Sequence, residues 1–137
     1  MADRRLHLEM IQGIINRLSN NSFLLKGWSV ILVAAIFSLA DINHSKQMFI
    51  LAYFPAFAFW GLDAYFLRQE RLFRKLYDSV REKKVDVSYS MNTSEFENEV
   101  SYSDAFISKT MLWFHGTLLI TLFIVTLITF IGDANGT

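Results

Sequence analysis

Two ionisable side chains stand inside long apolar runs of this sequence: Asp63 in the second run and His115 in the third. Asp63 lies five residues before Arg68, and His115 lies six residues after Lys109. If the two runs cross a bilayer in opposite directions, both groups fall at one depth, about one and a half helical turns from the same boundary. An unpartnered charge at such depth costs about 3 kcal/mol, so each group needs a partner or a task. A carboxylate beside an imidazole could move a proton or hold an ion. The plainer expectation, and the preferred one, is a structural clamp. In it Asp63 pairs with Arg68 or with an arginine of a neighbouring copy, and His115 bonds a carbonyl or a Ser/Thr hydroxyl of another helix.

No other residue set carries a recognisable reaction. The three histidines, His7, His44 and His115, fall in three separate layers of the chain, so they cannot share a catalytic set. There is no glycine-rich phosphate loop and no metal-spaced His/Glu cluster. Cysteine is absent, which removes thiol catalysis, zinc-thiolate sites and disulfides. The expectation is therefore no enzyme, no metal and no cofactor.

The elements that must position Asp63 and His115 are legible from composition. Hydrophobic residues make up 53% of the 137 and aromatics 15%, rich for a chain that must show a polar surface to water. Three runs account for this: residues 23–40, 48–67 and 110–131. Twenty residues in a helix rise about 30 Å, the thickness of a bilayer's hydrocarbon core. None of the runs has a polar face, which argues against a soluble bundle. The expected fold class is an all-α integral membrane protein. Its parts are a cytoplasmic amphipathic helix (1–22), the first span (23–40), an outer loop (41–47), the second span (48–67), a cytoplasmic segment (68–109), the third span (110–131) and an outer tail (132–137). Lys26 is read as snorkelling from the edge of the first span. Pro55 is expected to kink the second.

Charge placement gives direction. Formal net charge is zero, yet twelve of the 13 lysines and arginines fall on one side if all three runs cross. The positive-inside rule makes that side cytoplasmic, with the N-terminus in and the C-terminus out. The N-terminal residues show no cleavable signal peptide.

The cytoplasmic parts are patterned too. Leu6, Met10, Ile11, Ile14 and Leu18 recur at helical spacing, and Asn20, Asn21 and Ser22 read as a break before the first span. No Pro or Gly interrupts 62–84, so the second span should continue as a basic helix carrying Arg68, Arg71, Arg74, Lys75 and Arg81. Residues 85–108 hold five acids, among them Glu95, Glu97 and Glu99, and no Lys or Arg. The two segments are expected to meet, within one chain or between copies, unless the basic face instead meets anionic lipid head groups. Residues 85–91 alternate as a short strand would. Nucleic-acid binding is not expected, because acids interleave the basic face. Gly61, Gly116, Ala52/Ala56 and Ala34/Ser38 offer surfaces for close helix packing. With three short spans and complementary charge, a cyclic homo-oligomer in contact with membrane lipids is the expected assembly.

Residues 7–28 (HLEMIQGIINRLSNNSFLLKGW) and 59–81 (FWGLDAYFLRQERLFRKLYDSVR) resemble small bacterial inner-membrane proteins of the RipA-like octameric membrane protein family. More distantly they are similar to SLATT-type membrane effectors of bacterial conflict systems. The resemblance covers 6–84. It implies a ring-like homo-oligomer in the inner membrane and brings no catalytic residues with it. The functional expectation is a non-enzymatic assembly, a scaffold or a pore-type effector. The alternative is a small proton- or ion-coupled channel or transporter centred on Asp63 and His115.

Overall fold

In the computed structural model, which describes residues 2–82 and 88–136, the described chain is helical and contains no strand. Helix α1 spans Ala2–Ile42, α2 Lys46–Leu51, α3 Tyr53–Arg81, α4 Tyr102–Phe106 and α5 Lys109–Asn135, with a 3-10 turn at Ser94–Phe96. α1, the α2–α3 pair and α5 are each long and apolar enough to cross a membrane.

α1 runs through the break expected at Asn20, Asn21 and Ser22 without interruption, 41 residues or about 60 Å. The cap-type residues there lower helix propensity by only a few tenths of a kcal/mol each, which packing along α3 outweighs. The buried or half-buried residues of α1 explain this continuity. His7, Ile11, Ile15, Leu18, Ser22, Lys26, Ser29, Val33, Ile36 and Ala40 follow one another at steps of three and four, a single stripe from end to end.

The second apolar run is interrupted near its proline, as expected. Pro55 has no N–H for the Leu51 carbonyl, and the helix breaks between Leu51 and Tyr53. Beyond the break α3 continues unbroken to Arg81. The turn between α1 and α2 closes with His44 at φ 50°, while the Ser45 N–H returns to the Ala40 carbonyl at 3.0 Å. Lys46 bonds Asp133 at 3.0 Å and ties this end of the chain to the end of α5.

Two apolar cores result. The first joins Ile11 and Ile15 of α1 to Leu72, Leu76 and Val80 of α3, and Phe96 and Val100 close it. The second joins Val33, Ala52, Ala56 and Leu122, so the expected small-residue contact at Ala52/Ala56 packs within the chain. Around the second core apolar side chains point outward: Phe54 is 75% exposed and Trp113 78%. Of the most apolar window in each long helix only 17%, 33% and 11% is buried, so three helices do not cover one another.

The acidic segment folds back on the basic helix of its own chain. Arg68 Nε donates to the Val100 carbonyl at 3.0 Å and its Nη2 to the Glu97 carbonyl at 3.5 Å. Lys75 bridges Glu99 at 3.1 Å. Arg74 pairs with Glu70 and Arg81 with Asp78, both within α3. Because Lys75 and Glu99 are each about half exposed, their bridge adds little. Glu99→Gln is expected to lower stability by less than about 1 kcal/mol in a thermal melt. The expected strand at 85–91 is not formed where it can be followed: Ser88–Met91 has no regular structure, and 85–87 lie outside the described residues together with Lys83 and Lys84.

Candidate functional site

Between the two cores lies one polar layer. Asp63 enters it from α3, buried to 0% exposure between Trp60 and Ala64. Ser22 and Lys26 enter from α1, one helical turn apart on the buried stripe. His115 enters from α5 at 1% exposure.

The carboxylate holds all three neighbours. His115 Nε2 lies 2.8 Å from Asp63 Oδ2, and Lys26 Nζ lies 2.5 Å from the same oxygen. The Ser22 hydroxyl donates to Oδ1, and Lys26 Nζ donates to Ser22 Oγ at 2.9 Å. A carboxylate only accepts, so the hydrogen of the His115 ring is assigned to Nε2. The Lys26 ammonium and the Asp63 carboxylate offset one another within the layer. His115 Nδ1 is buried without a partner.

A stack of rings fixes the imidazole. Trp60, three residues before Asp63, lies nearly parallel to His115 with centroids 5.7 Å apart. Phe106 stacks on the same indole at 4.6 Å. The indole N–H donates to the Phe106 carbonyl at 2.9 Å, and Phe114 meets His115 edge-on at 5.0 Å. Tyr102 donates to the Gly61 carbonyl at 2.8 Å, and a Cβ at Gly61 would stand 3.4 Å from that hydroxyl. The short α4 is thereby fastened to α3 at the level of the layer. At Gly116 nothing lies within 4 Å of an added Cβ, so that glycine makes no close helix contact within the chain.

Asp63 and His115 are thus brought together, but the expected partners differ. Arg68 is spent on two carbonyls of the return segment, and the cation on Asp63 is Lys26. Lys26 gives its ammonium to Asp63 and Ser22, and Ser22 marks no break. The missed signal was periodicity. The three-and-four stripe that sets Ile11 and Ile15 in the core continues through Ser22 and Lys26 to Val33, so both had to face another helix. Glu95 stands apart, beside His7 at the far end of α1. There His7 Nε2 meets the Ser90 carbonyl at 3.0 Å. Arg71 lies beside Arg74, Lys75 and Glu99 on the outer side of α3. Among the described residues no group of three His, Asp or Glu is placed to hold a metal ion.

The layer can do two things chemically. It locks three helices in one register through charge-assisted bonds, and it keeps a buried imidazole against a buried carboxylate. Comparison of the chain with protein families, with curated proteins and with solved structures finds no match.

Proposed function

We propose that this chain is a multi-pass protein of the bacterial inner membrane, with its N-terminus cytoplasmic and its C-terminus outside. In that setting it works as a non-enzymatic homo-oligomeric assembly, a scaffold or a pore-type effector, held in contact with lipid. One observation carries the reading: α1 and α3 each contribute to both cores without a break at the polar layer. A displacement of the cytoplasmic core is then transmitted to the apolar helices as a rigid body. The polar layer acts as the joint that keeps the helices from sliding.

The large exposed apolar surface supports contact with lipid and with further copies. The face carrying Ala34 and Ser38 is exposed, and the Ser38 hydroxyl is returned to the Ala34 carbonyl at 3.0 Å, so it offers a smooth small-residue surface. The resemblance to the octameric family favours a closed ring. The charge contact, expected within one chain or between copies, is made within one chain by Lys75 and Glu99, so the ring contact is assigned to the spans.

The absence of native cysteine makes the test direct. Ala34→Cys should form a disulfide-linked dimer in oxidised membranes, and native mass spectrometry in mild detergent should give one subunit number above two. A monomer by both measurements would end this reading. The second reading, a proton- or ion-coupled channel, is favoured by the contact of His115 with Asp63. It wins if His115→Ala leaves assembly intact and abolishes proton flux in liposomes.

A further inference from the structure

Next to the polar layer, α1, α3 and the start of α5 leave a cleft of about 370 Å³. That volume falls at the small end of the ~300–1,000 Å³ typical of small-molecule sites. Ser22, Lys26, Glu70 and Thr110 supply its polar walls, and Leu67 and Met111 its apolar ones. Leu67 ends the second apolar run and Thr110 begins the third, so the cleft sits at the level where both runs meet the polar half of the chain.

Its chemistry has two signs. The Lys26 ammonium has three hydrogens, of which Asp63 and Ser22 take two, and the side chain remains 16% exposed. The third makes no hydrogen bond and is available to an anion, with the ammonium also 5.9 Å from the centre of the Phe114 ring. The Thr110 hydroxyl makes no hydrogen bond among the described residues and lines the same cleft. Glu70 supplies the opposite charge. Its side chain is 12% exposed, and both bonds from Arg74 fall on Oε1, so Oε2 carries neither. Arg74 itself is 59% exposed and can swing to water when another cation takes Glu70.

We propose that this cleft binds the head group of a primary-amine phospholipid of the phosphatidylethanolamine class. Lys26 and Thr110 receive the phosphate, and Glu70 receives the ammonium. The lipid tails run along the exposed apolar faces of the helices. A purely anionic head group would meet repulsion from Glu70. A trimethylated choline head group has no N–H to donate to its carboxylate. This assignment rests on the membrane reading above.

The test is native mass spectrometry of the detergent-purified full chain with equal amounts of phosphatidylethanolamine, phosphatidylcholine and phosphatidylglycerol. The wild type should retain the ethanolamine lipid about tenfold better than the other two, as one charge-assisted hydrogen bond gives. Glu70→Gln keeps the side-chain shape and should bring the three lipids to parity. Thr110→Ala should weaken all three together. Parity in the wild type, or an ethanolamine preference that survives Glu70→Gln, overturns the proposal. Free phosphoethanolamine or inorganic phosphate competing as strongly as the lipid also overturns it, in favour of a soluble ligand. Alkaline extraction of membranes separates the two levels. Recovery of the chain in the soluble fraction overturns the membrane reading along with this one, whereas a membrane-bound chain without lipid preference overturns only the head-group site.

Discussion

Asp63→Asn is expected to destabilise the folded chain by about 2–3 kcal/mol, read from reversible unfolding in mixed mild-detergent and SDS micelles. Removing one partner of a buried ion pair ordinarily costs about 3–5 kcal/mol, because the other charge is left stranded. Lys26 lowers that figure here. It is 16% exposed and opens onto the cleft beside Glu70, so it can relax toward the interface once the carboxylate is gone. His115 has no such route at 1% exposure, and the single amide oxygen of Asn cannot serve His115, Lys26 and Ser22 as two carboxylate oxygens do, so a buried donor is left unmatched. The double variant Lys26→Met with Asp63→Leu separates charge from packing. It replaces the pair with apolar groups of similar volume and should recover the share of the loss that comes from the stranded ammonium, while the unmatched His115 N–H keeps a cost of about 1–3 kcal/mol. An Asp63→Asn loss below about 0.5 kcal/mol would mean that the layer is not the joint between the helices. If Asp63→Asn also disperses the oligomer, the joint sets assembly as well as the single-chain fold.

Leu72→Ala should cost about 2–5 kcal/mol, and Leu122→Ala no more than about 2 kcal/mol, although both leucines are buried to within 1%. Under the proposed membrane insertion, the difference comes from the solvent that each core excludes. Leu72 packs with Ile11, Ile15, Phe96 and Val100 in the water-facing core, so its removal loses the hydrophobic term as well as the packing. Leu122 packs with Val33, Ala52 and Ala56, which the proposed insertion puts in the lipid layer, where hydrocarbon outside would be as apolar as the protein inside. Only dispersion contacts and the cavity are lost there. Hydrogen exchange should localise the first effect, with protection falling across 94–106 and the start of α1 while α5 keeps its own. Equal losses at the two leucines would place both cores in the same solvent and count against insertion.

The reliability of the sequence for this chain followed the range of the forces involved. Runs of apolar residues longer than a bilayer is thick announce themselves in any window of twenty, so the three long helices were legible without a fold. Pro55 announced the interruption of the second run, because a missing N–H is a local defect. The absence of Pro and Gly between 62 and 84 foretold the continuous α3 for the same reason. The depth argument placed Asp63 and His115 at one level from nothing more than distances along two helices, and the structure puts them 2.8 Å apart.

Partner choice was not legible in that way. Asp63 had an arginine five residues away in sequence, yet its cation comes from Lys26, 37 residues away on another helix. Arg68 turns instead to the carbonyls of a return segment whose path no local pattern sets. Likewise Asn20, Asn21 and Ser22 read as a break because their propensities favour caps, but a 41-residue helix was decided by the stripe that α1 buries against α3. The sequence by itself determined the three long apolar runs, the continuity of α3 and the shared level of Asp63 and His115, because those properties depend on residues close together in the chain. Only the tertiary structure decided which charges meet and that the acidic segment folds on its own basic helix. Desolvated ion pairs form between groups that packing brings within about 3 Å, and one helical rotation of 100° is enough to change the partner.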